Sequence, residues 1–226
     1  MPWIARRPQA MRLKRVRSTN LLKSLALVWI LSACAFNQTK ENALDHSKKS
    51  ILAWQGKALI FDKVKDKKNT VSLEVVSRRP KNMRMDISAI LGVYVGSFVW
   101  NENQMQILLA REKKFIVGPA NVESMQEILK LQIEPVALFN IFWDEPLSAA
   151  EWNCELDQLK RMKLCRHRTL AIQIVWQERD GRHRLIEIDS AKINTQLSIN
   201  EIEEDTEIKA STFQLKLPEG FKLIRI

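Results

Sequence analysis

Asn82-Met83-Arg84-Met85-Asp86-Ile87-Ser88-Ala89 alternates polar and apolar side chains without a break. A strand points successive side chains to opposite faces. Met83, Met85, Ile87 and Ala89 therefore share a dry face, and Asn82, Arg84, Asp86 and Ser88 a wet one. Strands with one wet face belong to antiparallel sheets, because a parallel sheet is covered on both sides. The same period of two recurs along the chain. Trp54, Gly56, Ala58 and Ile60 share a face, as do Val71, Leu73 and Val75, and Met105, Ile107 and Leu109. Further on, Ile193, Leu197 and Ile199 oppose Lys192, Asn194, Gln196, Ser198 and Asn200, and Phe213, Leu215 and Leu217 oppose Gln214 and Lys216.

One hairpin can be read to its register. Leu170, Ile172, Ile174 and Trp176 are apolar at even positions, and so are Ile186 and Ile188 beyond Asp180-Gly181. A two-residue Asp-Gly turn would pair Ile174 with Glu187 and mix the faces. A three-residue loop, Arg179-Asp180-Gly181, pairs Ile174 with Ile186 and Ile172 with Ile188, with Gly181 as a left-handed bulge residue.

The middle breaks the pattern. Asn121 can cap a helix over Val122–Lys130, with Met125, Ile128 and Leu129 on one stripe. Pro135 suits the first turn of a second helix through Val136, Phe139, Ile141, Phe142 and Trp143, and Pro146 stops it. The fold expected is mainly β: an open, half-closed antiparallel barrel of about eleven strands with two short helices as a lid. The expected lining of a hydrophobic cavity is Trp54, Met83, Met85, Ile87, Trp100, Met105, Ile107, Leu109, Phe139 and Phe142. Methionines adapt to varied apolar partners. The other reading is an interior filled by large side chains such as Trp54, Phe98, Trp100 and Trp176, with no room for a ligand.

The chain has 226 residues and is 46% hydrophobic, which suits a globular domain and excludes a disordered one. Its net charge of +10 invites a nucleic-acid reading, but residues 1–33 carry seven basic side chains and no acidic one. Residues 34–226 are left with 29 basic and 26 acidic side chains, a nearly balanced surface without a phosphate footprint. No nucleic-acid partner is expected.

Residues 1–33 read as an export leader. A basic stretch ends at Lys23, and Leu25-Ala26-Leu27-Val28-Trp29-Ile30-Leu31 is an apolar run too short to span a bilayer. Met1 and Met11 are both candidate starts. Leu31-Ser32-Ala33-Cys34 resembles the bacterial lipobox, which implies cleavage before Cys34 and acylation of that residue; the bland reading is an ordinary leader with an incidental Cys. Ala35, where an Asp would resemble an inner-membrane retention signal, leans towards the outer membrane. Residues 34–50 then comprise a lipidated Cys and a polar tether with a reach of about 20–25 Å, and residues 51–226 a single domain.

Three stretches resemble the LolA/LolB family of Gram-negative lipoprotein carriers and receptors, closest to its lipidated receptor branch, LolB. They are Asn82–Trp100 (NMRMDISAILGVYVGSFVW), Ser124–Pro146 (SMQEILKLQIEPVALFNIFWDEP) and the opening Trp54-Gln55-Gly56-Lys57-Ala58. The resemblance implies a half-barrel whose cavity takes acyl chains of lipoproteins, or another lipid. It also implies a soluble LolA-like carrier as donor and delivery of cargo into the outer membrane. The loop Ile90–Gly96 matches the family's membrane-contacting loop, with Leu91, Val93 and Tyr94 as its insertion residues and Leu91 the closest counterpart. Tyr94-Val95 makes this loop longer and more apolar than the family's. The bland reading is a buried β-bulge.

Catalytic motifs are missing: there is no G-x-S-x-G, P-loop, H-E-x-x-H or Gly-rich dinucleotide turn. His46, His167 and His183 are scattered, the last two among arginines on a solvated face. Neither an enzyme nor a metal or other cofactor is expected, and the domain reads as a monomer. Cys154 and Cys165 can face each other across a hairpin centred near Leu159-Lys160, which an oxidising periplasm would let bridge; two separate thiols are the alternative. The expectation is a lipid-anchored protein on the periplasmic side of the outer membrane that receives and inserts lipoproteins. The alternative is an envelope scaffold or sensor with a filled core.

Overall fold

The alternating stretches fold into one sheet in the computed structural model, which describes residues 50–89, 91–101, 104–129, 132–202 and 208–226. Cys34, the leader, the tether up to residue 49, Ile90, Lys130 and the side chains of Ile128 and Leu129 lie outside the described residues. Six strands precede the helices: β1 (Ile51–Asp62), β2 (Lys67–Arg78), β3 (Asn82–Ala89), β4 (Tyr94–Asn101), β5 (Gln104–Leu109) and β6 (Lys114–Pro119). Helices α1 (Val122–Leu129) and α2 (Pro135–Trp143) follow. Then come β7 (Trp152–Leu156), β8 (Met162–His167), β9 (Ile172–Asp180), β10 (His183–Ser190), β11 (Ile193–Ile202) and β12 (Lys222–Arg225). The strand order is β12-β6-β5-β4-β3-β2-β1-β11-β10-β9-β8-β7, so the sheet is open, with β12 and β7 at its edges.

Register keeps the apolar parity on one face. Ala58 lies between Val71 and Leu197, Met85 between Val75 and Phe98, and Ile107 between Phe98 and Ile116. The helices cover this inner face: Phe139 meets Trp100 edge-on at 5.7 Å, and Phe142 lies 6.5 Å from Trp54. Asn121 Oδ1 accepts the Ser124 amide at 2.9 Å, capping α1. Pro135 opens α2, and Asp144 ends it in the left-handed conformation.

Two sequence expectations need correction. The β9–β10 hairpin closes with a two-residue turn, Gly181-Arg182, between the paired Asp180 and His183. Gly181 supplies the positive φ (52°) at the turn's first central position. The bulge sits at Gln177, so Ile186 pairs with Trp176 and Ile188 with Ile174. Inserting one residue in one strand restores the parity that the tight turn would have broken, and the apolar side chains still share a face.

Phe213, Leu215 and Leu217, expected as a strand from their alternation, form none. A 3₁₀ turn, Ala210–Phe213, leads into an extended segment that crosses the outer face of the sheet. Arg84 of β3 donates to the Thr212 carbonyl, Asn101 of β4 to the Phe213 carbonyl, and the Leu215 amide donates to Gln106 of β5. A segment that runs across strands satisfies its backbone with side chains instead of a ladder, although its side chains still alternate. Phe213 is buried beneath it, while Leu217 is exposed. The chain then joins the edge as β12, parallel to β6.

Candidate functional site

Five inner-face rows, on β1, β2, β3, β5 and β11, share one gradient. On β1, Trp54 and Ala58 are buried and Ile60 is half-buried. On β2 the order is Val75, Leu73, then half-buried Val71; on β3 it is Met83, then half-buried Met85 and Ile87. On β5, Met105 and Ile107 give way to half-buried Leu109, and on β11, Ile199 and Leu197 give way to half-buried Ile193. Within each row, burial falls towards the ends that carry the β1–β2, β3–β4, β5–β6 and β10–β11 turns. These turns form the rim of the sheet.

All ten expected lining residues belong to this apolar cluster. Trp54, Met83, Trp100, Met105, Ile107, Phe139 and Phe142 are its deeply buried members, and Met85, Ile87 and Leu109 are packed against it towards the rim. At the deep end, α2 fills the space with its own aromatic rings. Phe139 stacks on Trp143 at 5.4 Å.

The end of α2 is held by three arginines that sequence reasoning missed. Arg184, from β10, is 3% exposed; its guanidinium lies 4.6 Å from the Trp54 ring centre and its Nη1 donates to the Phe142 carbonyl at 3.3 Å. Arg179, from β9, donates to Asp144 Oδ1 at 2.6 Å and lies over Trp176 at 5.6 Å. Arg79, after β2, pairs with Glu145 and lies 4.5 Å from the Trp143 ring centre. Cations near a helix C-terminus complement its partial negative charge, and desolvated guanidiniums on aromatic faces add to the hold. Burial pulls both the Arg179 and Arg184 guanidiniums below their ordinary range, with Asp144 drawing each back up. The signal in sequence was slight: Arg184 shares the even parity of Ile186 and Ile188, so the strand that buries them carries it to the same face.

The β3–β4 turn projects from the rim. The Ala89 amide donates to the Val93 carbonyl and the Gly92 amide to the Ala89 carbonyl, each at 2.8 Å, and Gly92 takes φ 75°. Leu91 is 92% exposed and Val93 65%. A bulge does sit at Val95, as in the bland reading, but the tip is solvent-facing and not buried. Tyr94 differs from its two neighbours: its hydroxyl lies 2.6 Å from Ser97 Oγ, which donates to Asp86, and Arg84 clasps the same carboxylate. That hydrogen-bonded chain ties the Tyr94 phenol to the sheet.

A second feature of the rim was not read from the sequence. A cavity of about 530 Å³ lies where β1, β10, β11 and α1 meet. Asp62, Lys65, Glu123, Lys192 and Ile193 are among its walls.

Cys154 and Cys165 are bonded across the β7–β8 pair. His167 packs edge-on against Trp152 at 4.9 Å and accepts the amides of Thr169 and Leu170 on Nδ1, so it shapes a turn and does not sit free on a solvated face. His183 lies 3.1 Å from Asn200 Oδ1. Among the described residues, no three His, Cys, Asp or Glu side chains converge as a metal site, and no helix is long and apolar enough to cross a membrane.

Fold and inner face together define the class: an open antiparallel half-barrel under a helical lid. Solved structures of similar fold include a DUF1329 family protein from Desulfovibrio piger, 9% identical, with a TM-score of 0.50 over 74% of this chain and 91% of that one. A LolA superfamily protein from Nitrosomonas europaea is 9% identical over 72% of this chain and 90% of its own, with a TM-score of 0.45. A domain named for outer membrane lipoprotein sorting, from Vibrio parahaemolyticus, is 10% identical over 72% and 88%, with a TM-score of 0.44. No protein-family model and no curated protein matches the chain. At these identities the likeness is one of fold.

Proposed function

We propose that this protein handles lipid at the bacterial outer membrane, anchored through Cys34 and facing the periplasm. It takes the acyl chains of lipoproteins, or of another lipid, between the sheet and its lid and passes them to the membrane beside Leu91. The acyl chains come from a soluble LolA-like carrier, and no bond is made or broken. The observation that carries this reading is the gradient of the inner face, which loosens towards the rim from which Leu91 and Val93 project. Burying a 16-carbon chain contributes on the order of 10 kcal/mol, at about 0.8 kcal/mol per methylene. Displacing the α2 aromatic rings offsets part of that gain, so loading and release can both occur.

A second reading has its own observation. Phe139 and Phe142 fill the deep end in the manner of an ordinary core, which suits a scaffold or sensor that binds no lipid. Native mass spectrometry of the gently purified protein separates the two. The carrier reading expects co-purified lipid that is lost in Met85→Arg, and a Leu91→Glu variant that keeps its lipid but no longer transfers it to vesicles. A lipid-free wild type that also binds no added fatty acid leaves only the scaffold. In the native host, depletion should strand other lipoproteins in the inner membrane.

A further inference from the structure

The 530 Å³ cavity at the rim lies within the range of about 300–1,000 Å³ usual for small-molecule sites. Its position follows from the β1–β11 register. Asp62 pairs with Ile193, and the row behind them continues through Ile60 and Thr195 to Ala58 and Leu197. The cavity therefore stands at the end of the apolar wall, where the β1 row turns from apolar to charged.

Of its four charges, Asp62 and Lys65 face each other, and Lys192 and Glu123 stand apart from that pair. Lys65 reaches Asp62 only at 3.7 Å and its side chain is 76% exposed. Among the described residues, the side chains of Lys192 and Glu123 make no ion pair. Asp62 is occupied with its own turn, accepting the amides of Val64 and Lys65 at 3.1 and 3.0 Å. Neighbouring Lys63 is neutralised by Asp189 at 2.6 Å and donates to the Ser190 carbonyl. The walls thus carry two ammonium groups and two carboxylates, a balanced set. A bare anion gains little from such a set, whereas a zwitterion finds a partner for each of its ends.

We infer that this cavity seats the zwitterionic, phosphate-bearing head of a glycerophospholipid whose tail runs over Ile193 onto the inner face. Lys65 and Lys192 take the phosphate, and Glu123 takes the ammonium. The inference rests on the acyl-binding reading above and adds the class of head group. It makes the rim a selector: a tail alone gains only the apolar wall, and a tail with the matching head gains both.

The test is calorimetric titration of the purified full chain with two probes of equal tail length, laurate and lauroyl-lysophosphatidylethanolamine, both below their micelle concentrations. Wild type should prefer the phospholipid at least tenfold. The Lys65→Gln/Lys192→Gln variant should lose that preference while its laurate affinity stays within twofold. Both lysines lie outside the core, and an unchanged melting curve excludes misfolding. Equal affinity for the two probes in wild type, or a preference that survives the double substitution, overturns the head-group site and leaves acyl binding intact. Glycerophosphoethanolamine, which has the head and no tail, should bind at least a hundredfold more weakly; comparable binding overturns the lipid assignment in favour of a soluble phosphoester. If neither tailed probe binds, the acyl reading falls with it.

Discussion

The guanidinium of Arg184 lies 4.6 Å from the centre of the Trp54 ring, and the same side chain donates to the carbonyl of Phe142 at the end of α2. One buried cation therefore joins the first strand, the tenth strand and the lid.

Arg184→Leu should destabilise the domain by about 2–4 kcal/mol, the combined scale of a desolvated cation–π contact and a buried acceptor left without its donor. Burial of the guanidinium is itself costly, which keeps the loss from being larger. Chemical denaturation followed by tryptophan fluorescence measures it. A change below about 0.5 kcal/mol, the scale of an ordinary surface substitution, would show that the contact holds nothing.

Phe213→Ala should cost about 3–5 kcal/mol, as for other fully buried aromatic residues. Phe213 is 2% exposed and lies under the Arg78 guanidinium, 5.0 Å away. Hydrogen exchange should also speed up at Val99, which is buried on the outer face of β4 where the segment crosses.

Removing the disulfide with Cys154→Ala/Cys165→Ala should lower stability by about 3 kcal/mol in the chain-entropy model for a loop of this length. On the proposed carrier reading, lipid binding should change little, because β7 and β8 are remote in strand order from β3 and β5, which carry the half-buried Met85, Ile87 and Leu109. Denaturation with and without reductant gives the first quantity, and titration of the variant gives the second.

Acid should weaken the fold through two carboxylates. Burial would raise Asp189, but donors from Lys63 and Asn194 outweigh it and hold the group below its ordinary value. Asp157 is lowered in the same way: burial opposes, while the Arg161 amide and side chain and the Leu159 amide prevail. A carboxylate whose pKa is lower folded than unfolded contributes stability that is complete above its unfolded pKa, near 3.9, and lost as pH falls through the folded one. Stability should therefore hold from neutral pH to about 4–5 and decline below. Asp189→Asn and Asp157→Asn should each flatten that decline in pH-dependent melting.

The β architecture was legible because the period of two is long and regular in β1, β2, β3, β5 and β11, and each of these strands has one wet face. Asn121 and Pro135 marked the starts of the two helices by local backbone chemistry. Alternation failed at Phe213–Leu217, where an extended chain lies across strands instead of beside one, a difference that parity alone does not record. Register failed at Gln177, since a bulge and a longer loop restore parity equally well. The arginine hold on α2 and the cavity at the rim were illegible for another reason. Both are assembled from residues far apart in the chain, such as Arg79 with Glu145 and Glu123 with Lys192.

The polarity of β1 has a mechanical consequence. Ile51 is level with Arg78 and Asn82, and Ala89, where the turn that carries Leu91 begins, lies seven residues beyond Asn82, about 23 Å away at roughly 3.3 Å per residue. On the anchored reading proposed above, a pull applied ahead of β1 acts on the flank remote from Leu91. Seating the hydrophobic tip in the leaflet that holds the anchor would then require the domain to tip over. Shortening residues 35–50 should then stop delivery before it stops loading.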